Sequence, residues 1–246
     1  MSTPLDRSTG IILKISDYKD NAVLLTVLVS GVGQLRLIGK GQLKQSSKLA
    51  PICQPFNELL MSYYRKEHTS LGQLINATVV NSRVDLSFNI YQSIYGQILC
   101  ELIEKITFDD EHDVDLLYEF LNESLDSLFM DNVHDAMAFA LVRLITVLGY
   151  QIQFIDMPLD YDSSTPFYID LGNGSIKANF NFEDMKYPLS QSEVITLLAY
   201  SQMDSYDQNY LEAFDSLGFD HVRFLLDFIH YHMGLSLKTV GLLETL

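Results

Sequence analysis

Val23-Leu24-Leu25-Thr26-Val27-Leu28-Val29, followed closely by Gly31-Val32-Gly33, decides the fold of the first third of the chain. A short apolar, β-branched run bounded by turn residues predicts a strand, and this one is long enough to be buried on both faces. Upstream, Ile11, Leu13 and Ile15 alternate with Ile12, Lys14 and Ser16. Downstream, Leu35 and Leu37 share one face of a third strand, while Gln34, Arg36, Ile38 and Lys40 share the other. A polar, basic loop covers 41–48, and Pro55 to Tyr64 and Leu71 to Val80 supply strands four and five. Five short strands with Gly-rich turns inside eighty residues predict a small closed barrel of the OB type, with an SH3-like barrel and an open sheet as rivals.

Beyond about residue 83 the hydrophobic period changes from two to 3.6. Tyr91, Ile94, Tyr95, Ile98, Leu102 and Ile106 mark one face of a long helix that Leu99 and Ile103 widen, so a central position is expected. Asp113 is placed to cap a second helix ending near Met130, and Asp131 or Asn132 a third that stops at Gly149. From Tyr150 to Tyr187 the helical pattern lapses, and Asp170-Leu171-Gly172-Asn173-Gly174 has the Asn-Gly centre of a two-residue hairpin turn. Helices resume at the capping box Ser190-Gln191-Ser192-Glu193, then over 207–217 and from Asp220 to Met233, closed by Gly234, with a short last helix after Ser236. The expected class is therefore α+β in two domains: a barrel over 1–80 and a helical domain over 81–246, with 151–187 a β-rich insert.

Charge divides along the same line. Residues 1–80 carry nine Lys/Arg against five Asp/Glu, net +4; residues 81–246 carry seven against twenty-seven, net −20, giving −16 for the whole. A strongly acidic chain argues against nucleic acid, because phosphate binding needs clustered cations, but the average conceals a basic module. Lys14, Lys19, Arg36, Lys40, Lys44, Lys48, Arg65 and Lys66 are its candidate DNA contacts. Tyr18, Tyr63 and Tyr64 are candidate stacking residues, although one of the adjacent pair Tyr63 and Tyr64 must face inward. Phe224, Phe228 and Tyr231 form an aromatic stripe that, with Arg143, Arg223 and Lys238, is a candidate partner surface; the plainer alternative is a helix buried on all sides.

Other chemistry is weakly encoded. Cys53 and Cys100 lie in separate apolar runs without C-x-x-C spacing, which predicts packing residues and neither disulfide nor zinc. The acidic run 109–115 sits between helices, where carboxylates cap and stay solvated, and His230 and His232 point apart on their helix. No nucleotide loop, nucleophile elbow or H-E-x-x-H supports an enzyme. No apolar leader or membrane span is visible, so a soluble cytoplasmic protein without cofactor or metal is expected.

Several short stretches carry a resemblance in their order and spacing: Gly10 to Asp20, Gly39-Lys40-Gly41, Ser47-Lys48-Leu49, Gln54-Pro55-Phe56, Leu148-Gly149-Tyr150, and Tyr231-His232-Met233-Gly234-Leu235-Ser236-Leu237-Lys238-Thr239. Together they resemble the RecO family of bacterial recombination mediators over essentially the whole chain. The resemblance implies an OB barrel followed by a helical domain with an inserted lobe. It implies binding of single-stranded DNA, with duplex DNA secondary, and annealing of complementary strands. It also implies work with RecR to load RecA onto DNA coated by single-stranded-DNA-binding protein, with nucleoid association. The chain departs from the family pattern in two ways. Many relatives hold zinc in the insert with two C-x-x-C pairs, and this chain has no Cys or His between 135 and 220; the helical half is also strongly acidic. The rival function is a protein-only adaptor whose acidic body docks partners and whose barrel no longer binds DNA.

Overall fold

The computed structural model describes residues 5–19, 22–40, 49–65, 69–107, 113–154, 167–178, 187–207, 214–243 and 245. Strands β1 (Leu5–Tyr18), β2 (Ala22–Val29), β3 (Gly33–Lys40), β4 (Glu58–Arg65) and β5 (Leu71–Asn81) close into a barrel in the order β1-β2-β3-β5-β4, with β4 pairing back onto β1. The β3–β5 pair is parallel and the other neighbours run antiparallel, so the expected OB-type barrel is present and the open sheet is ruled out. Val23, Leu25, Val27 and Val29 of β2 pack inward with Leu35, Leu37, Leu59, Met61 and Tyr63. Leu28 and Thr26 on the opposite face of β2 are buried too, as the composition of that strand predicts.

β1 serves two neighbours. Leu5 to Ile11 pair with β4 and Gly10 to Tyr18 with β2; of the two shared residues, Gly10 and Ile11, Gly10 lies so close to Met61 and Val27 that a Cβ there would fall 2.5 Å and 2.7 Å from their side chains. The expected alternation of Ile11 and Leu13 against Ile12 needs correcting, since all three are buried. A bulge between Ile12 and Lys14 reorients the strand. Ile12 joins the barrel core, while the neighbouring positions are covered on the side where α1 packs.

A 3₁₀ turn (Val84–Phe88) leads into α1 (Ile90–Ile106), whose Asn89 cap accepts from the amides of Tyr91 and Gln92 at 3.0 and 3.2 Å. Ile94, Tyr95, Ile98, Leu99, Leu102 and Ile103 are all buried, so the helix is central as its wide apolar face requires. α2 (Val114–Ser127) starts at Asp113, whose carboxylate accepts from the amides of Asp115 and Leu116. Asp115 in turn accepts from Gly31 N at 2.7 Å and fixes the β2–β3 turn. Of the described acids of the run, Asp113 thus caps α2 and Asp115 clasps the turn; 108–112 lie outside the described residues.

Barrel and helices are joined by Arg83, whose side chain is wholly buried. Its Nε donates to Asp126 at 2.7 Å, its Nη1 to the Phe56 carbonyl at 3.1 Å, and its Nη2 to the Asn122 side chain at 2.7 Å and carbonyl at 3.2 Å. Its own amide donates to Asn57 Oδ1 at 2.7 Å. Phe56 is held at φ 71, a left-handed conformation that a bulky residue adopts only when its surroundings dictate it. Its amide donates to the Ile12 carbonyl, and its ring lies against Gly96, where a Cβ would come within 3.1 Å.

Two compact units result: 1–126 with 237–246, and 127–236. In the first unit the short helix α6 (Val240–Leu243) packs on α1 and is held by Glu101, which accepts from Lys238 N at 2.9 Å, Thr239 N at 3.0 Å and Thr239 Oγ1 at 2.8 Å. Burial opposes the charge on Glu101, but these three hydrogen bonds and nearby Lys105 together outweigh it and hold the carboxyl below its ordinary value.

The second unit packs α3 (Val133–Val147) against α4 (Gln191–Gln202) and α5 (Phe219–Met233). Asn132 caps α3, Ser190 and Glu193 form the expected capping box, and Gly149 and Gly234 take positive φ where helices stop. Asp135 is buried and gathers the hydroxyls of Tyr200 and Tyr206 and the amide of Leu217. The insert is a four-stranded sheet ordered β6-β8-β7-β9, from β6 (Gln153–Phe154), β7 (Phe167–Asp170), β8 (Ser175–Ala178) and β9 (Pro188–Leu189). Its hairpin needs a correction: the turn holds four residues, 171–174, between paired Asp170 and Ser175. Asp170 accepts from both the amide and the side chain of Asn173, and this draws the loop out beyond two residues. The helix expected over 207–217 falls mainly on 208–213, outside the described residues; Asp207 and residues 214–217 are not helical.

Replacing Arg83 with Met should lower unfolding free energy by about 3 kcal/mol or more, because buried acceptors at Phe56 and Asn122 lose their donors. Arg83→Lys should recover little, since one ammonium cannot span the fork's partners. Urea denaturation checks this, and a Met variant as stable as the parent would refute it. The lowered carboxyl of Glu101 makes a second prediction. Its contribution is fully present above the ordinary glutamate value and is lost as pH falls through the lowered one. Hydrogen-exchange protection of Lys238 and Thr239 should fall in that acid range, and should already be lost at neutral pH in Glu101→Gln. Equal protection in both proteins would contradict the assignment.

Candidate nucleic-acid interface

Strand register sorts the basic residues into rows on the barrel's outer face. Lys14 lies opposite Thr26, Thr26 opposite Arg36 and Arg36 opposite Leu71. The next row runs Ser16, Leu24, Ile38, Gln73, Tyr64, and the third Tyr18, Ala22, Lys40. Since Leu35 and Leu37 point into the core, alternation forces Arg36 and Lys40 outward, and both are exposed, as is Lys14. Two inter-strand steps put the Lys14 and Arg36 backbones about 10 Å apart, and four residues along β3 put Arg36 and Lys40 about 13 Å apart. Among the described residues neither Arg36 nor Lys40 has a carboxylate at salt-bridge distance. Lys14 has only Glu104 among them, at 3.9 Å on a well-exposed side chain, a weak pair.

Two hollows flank these rows. Tyr64, Leu71, Ile38 and Gly72 line one of about 420 Å³ on the β3–β5–β4 surface, with Tyr64 41% exposed. An exposed phenol over an apolar floor is a surface on which a base can stack. Arg65 borders the same hollow, where Asp6 holds its Nε at 3.3 Å and reduces its reach toward other anions. At the β1–β2 turn the Lys19 ammonium lies 5.9 Å from the centre of the Tyr18 ring, which is half-buried. The second hollow, about 530 Å³, brings Lys14 and Arg36 of the barrel together with Lys105, Glu101 and Glu104 of α1 and with Lys238.

The structure therefore brings Lys14, Arg36, Lys40, Tyr18, Lys19, Tyr64 and Arg65 onto the outer surface of the barrel. Lys44, Lys48 and Lys66 lie outside the described residues. Tyr63 is corrected: it is fully buried opposite Leu74, because adjacent strand residues face opposite sides and Tyr64 takes the outer one. The aromatic stripe is corrected as well. Phe224 and Phe228 are 1% exposed, packed with Tyr187 and His232, because α5 is apolar on more than one side. Tyr231 at the last turn is 61% exposed, Arg223 lies over the Phe219 ring at 5.9 Å, and Arg143 is half-buried. Lys238 belongs to the first unit, whereas Arg143 and Arg223 belong to the second.

Three residues that matter here were not singled out from the sequence. Glu101 and Lys105 stand four apart on α1, the spacing at which opposite charges meet, and that signal was readable. Arg83 had no such signal, since nothing in its neighbours marks a buried arginine. Among the described residues no group of three metal-ligating side chains converges, and no helix is long and apolar enough to cross a membrane.

Comparison with known proteins agrees with this architecture. The family described as Recombination protein O N terminal matches residues 1–83, and Recombination protein O C terminal matches residues 87–240. A DNA repair protein RecO from Trichodesmium erythraeum is 27% identical across 98% of this chain and 94% of its own. One from Bacillus pumilus is 26% identical across 81% and 78%, and one from Exiguobacterium sibiricum 22% identical across 80% and 78%. A solved asparaginyl-tRNA synthetase chain from Entamoeba histolytica aligns over 77% of this chain and 40% of its own at 11% identity with a TM-score of 0.29, too slight a likeness to bear on the fold. A closed five-stranded barrel, a helical body with a small sheet, and two family matches that between them span residues 1–240 lead to one conclusion: this chain belongs to the RecO family of DNA repair and recombination proteins.

Proposed function

We propose that the chain is a non-enzymatic recombination mediator that binds single-stranded DNA across the outer face of its barrel, anneals complementary strands and, with RecR, helps load RecA onto DNA coated by single-stranded-DNA-binding protein. The observation that carries the reading is the alignment of Lys14, Arg36 and Lys40 on one outer face beside the exposed Tyr64 hollow. Cations spaced along neighbouring strands neutralise successive phosphates, and a phenol accepts a base without reading its identity. That is the chemistry annealing needs, because both strands must be held while their pairing edges stay open. Lys19 and Arg65, at the β1–β2 and β4–β5 turns, and Lys44, Lys48 and Lys66 extend the same basic surface in this proposal. Duplex DNA would be held by the same backbone contacts. The partner contacts with RecR and with the single-stranded-DNA-binding protein belong to surfaces other than the buried Phe224 and Phe228.

Labelled oligo-dT titrated over a range of salt concentrations tests the face. Arg36→Gln/Lys40→Gln should weaken binding and reduce the log–log salt slope by about 1.4, or about 0.7 for each contact. Affinity and slope equal to the parent would leave the protein-only adaptor as the better account. Tyr64→Ala should cost about 1–3 kcal/mol of binding if a base stacks there, whereas Tyr63→Phe should bind like the parent. Equal losses in the two tyrosine variants would remove the stacking assignment.

A further inference from the structure

We infer that the hollow between β1, β3, α1 and residues 237–239 is a second phosphate-binding station for DNA, completed only when Lys238 and Thr239 dock on Glu101. This rests on the barrel-face reading above. Four cations from three parts of the chain line it: Lys14 and Arg36 from the barrel, Lys105 from α1, and Lys238 from the returning segment. Two carboxylates share the space, and they are not equivalent. Glu101 spends both oxygens on Lys238 N, Thr239 N and Thr239 Oγ1, so its charge is already met by donors. Among the described residues Glu104 has only Lys14 as an ion-pair partner, at 3.9 Å.

The remaining lining favours phosphodiester over an acidic peptide. Among the described lining residues Leu13 is the one aliphatic or aromatic side chain, and Gln34, Gln97 and Thr239 are the uncharged polar ones. A peptide would need apolar anchors, which are scarce here, whereas phosphate oxygens need only cations and N–H donors. Gln34 offers such a donor, because its carbonyl oxygen is engaged by Thr107 Oγ1 at 2.9 Å while its amide hydrogens meet no acceptor among the described residues. Continuity sets the direction. Lys14 and Arg36 belong both to the outer row and to this hollow, so a backbone that crosses the row passes them into it.

Glu101 is a positioning residue in this scheme, since it acts by holding Lys238 in place. Glu104 is an internal competitor for Lys14. The two acids therefore make opposite predictions from the same charge change. In the full-length protein with labelled oligo-dT at low salt, Lys105→Gln/Lys238→Gln should weaken binding about 3- to 10-fold and lower the salt slope by about 1.4. Glu104→Gln should tighten binding about 2- to 5-fold, with the gain fading as salt rises. Glu101→Gln should weaken binding together with lost exchange protection at Lys238 and Thr239. Arg36→Gln/Lys40→Gln separates the readings. If it weakens binding while Lys105→Gln/Lys238→Gln leaves affinity and slope unchanged, the station is refuted and the barrel face stands. If it too binds like the parent, both fall. Displacement of the oligonucleotide by equimolar ATP at constant ionic strength would also overturn the inference, since it would mark a mononucleotide pocket.

Discussion

A guanidinium with no access to water must find all its partners inside the protein, and Arg83 finds them on both sides of the junction between barrel and helices. Phe56 supplies a carbonyl from the barrel side, while Asn122 and Asp126 supply oxygens from α2. The planar fork of arginine is what allows one side chain to serve three directions at once. Everything near it is constrained in consequence. Phe56 is kept in a conformation it would not choose, and its ring is set against Gly96 of α1. A fragment cut at the change of sequence period, near residue 80, would lose Arg83 and leave those acceptors buried without a donor.

The charge pattern gains meaning only at this local scale. A net charge of −16 would keep a polyanion at a distance if it were spread evenly. Instead the cations of β1 and β3 stand together, and screening at physiological salt confines the influence of remote carboxylates to about 8–10 Å. Several carboxylates of the same unit are occupied: Asp6 with Arg65, Glu101 with backbone amides, Asp115 with Gly31. An acidic protein can thus present a cationic surface where its acids are used as caps and clasps.

Much of this was legible in the residues. Alternation placed Arg36 and Lys40 outside and Leu35 and Leu37 inside, and the capping signals at Asp113, Asn132 and Ser190 proved literal. Local rules read well because each of these outcomes depends on a few neighbours. What escaped depended on distant parts of the chain. The bulge after Ile12 serves a strand with two partners, and no periodicity within β1 announces that. The choice between Tyr63 and Tyr64 needed the register with β5. Phe224 and Phe228 form a stripe that looks the same whether it faces solvent or a neighbour, and packing decided it. Lys238 was grouped with cations of the second unit because nothing in its sequence says that the chain returns to α1.

That return has a consequence for synthesis. Glu101 leaves the ribosome well over a hundred residues ahead of the amides that satisfy it, and at about 5–20 residues per second the wait is on the order of ten seconds. During that time the barrel and α1 can assemble around Arg83, but the carboxylate must remain solvated and the hollow beside it open. The first unit is therefore begun first and finished last, with residues 127–236 made in between. A nascent chain stalled anywhere in that middle stretch would carry the barrel face without the segment that closes it.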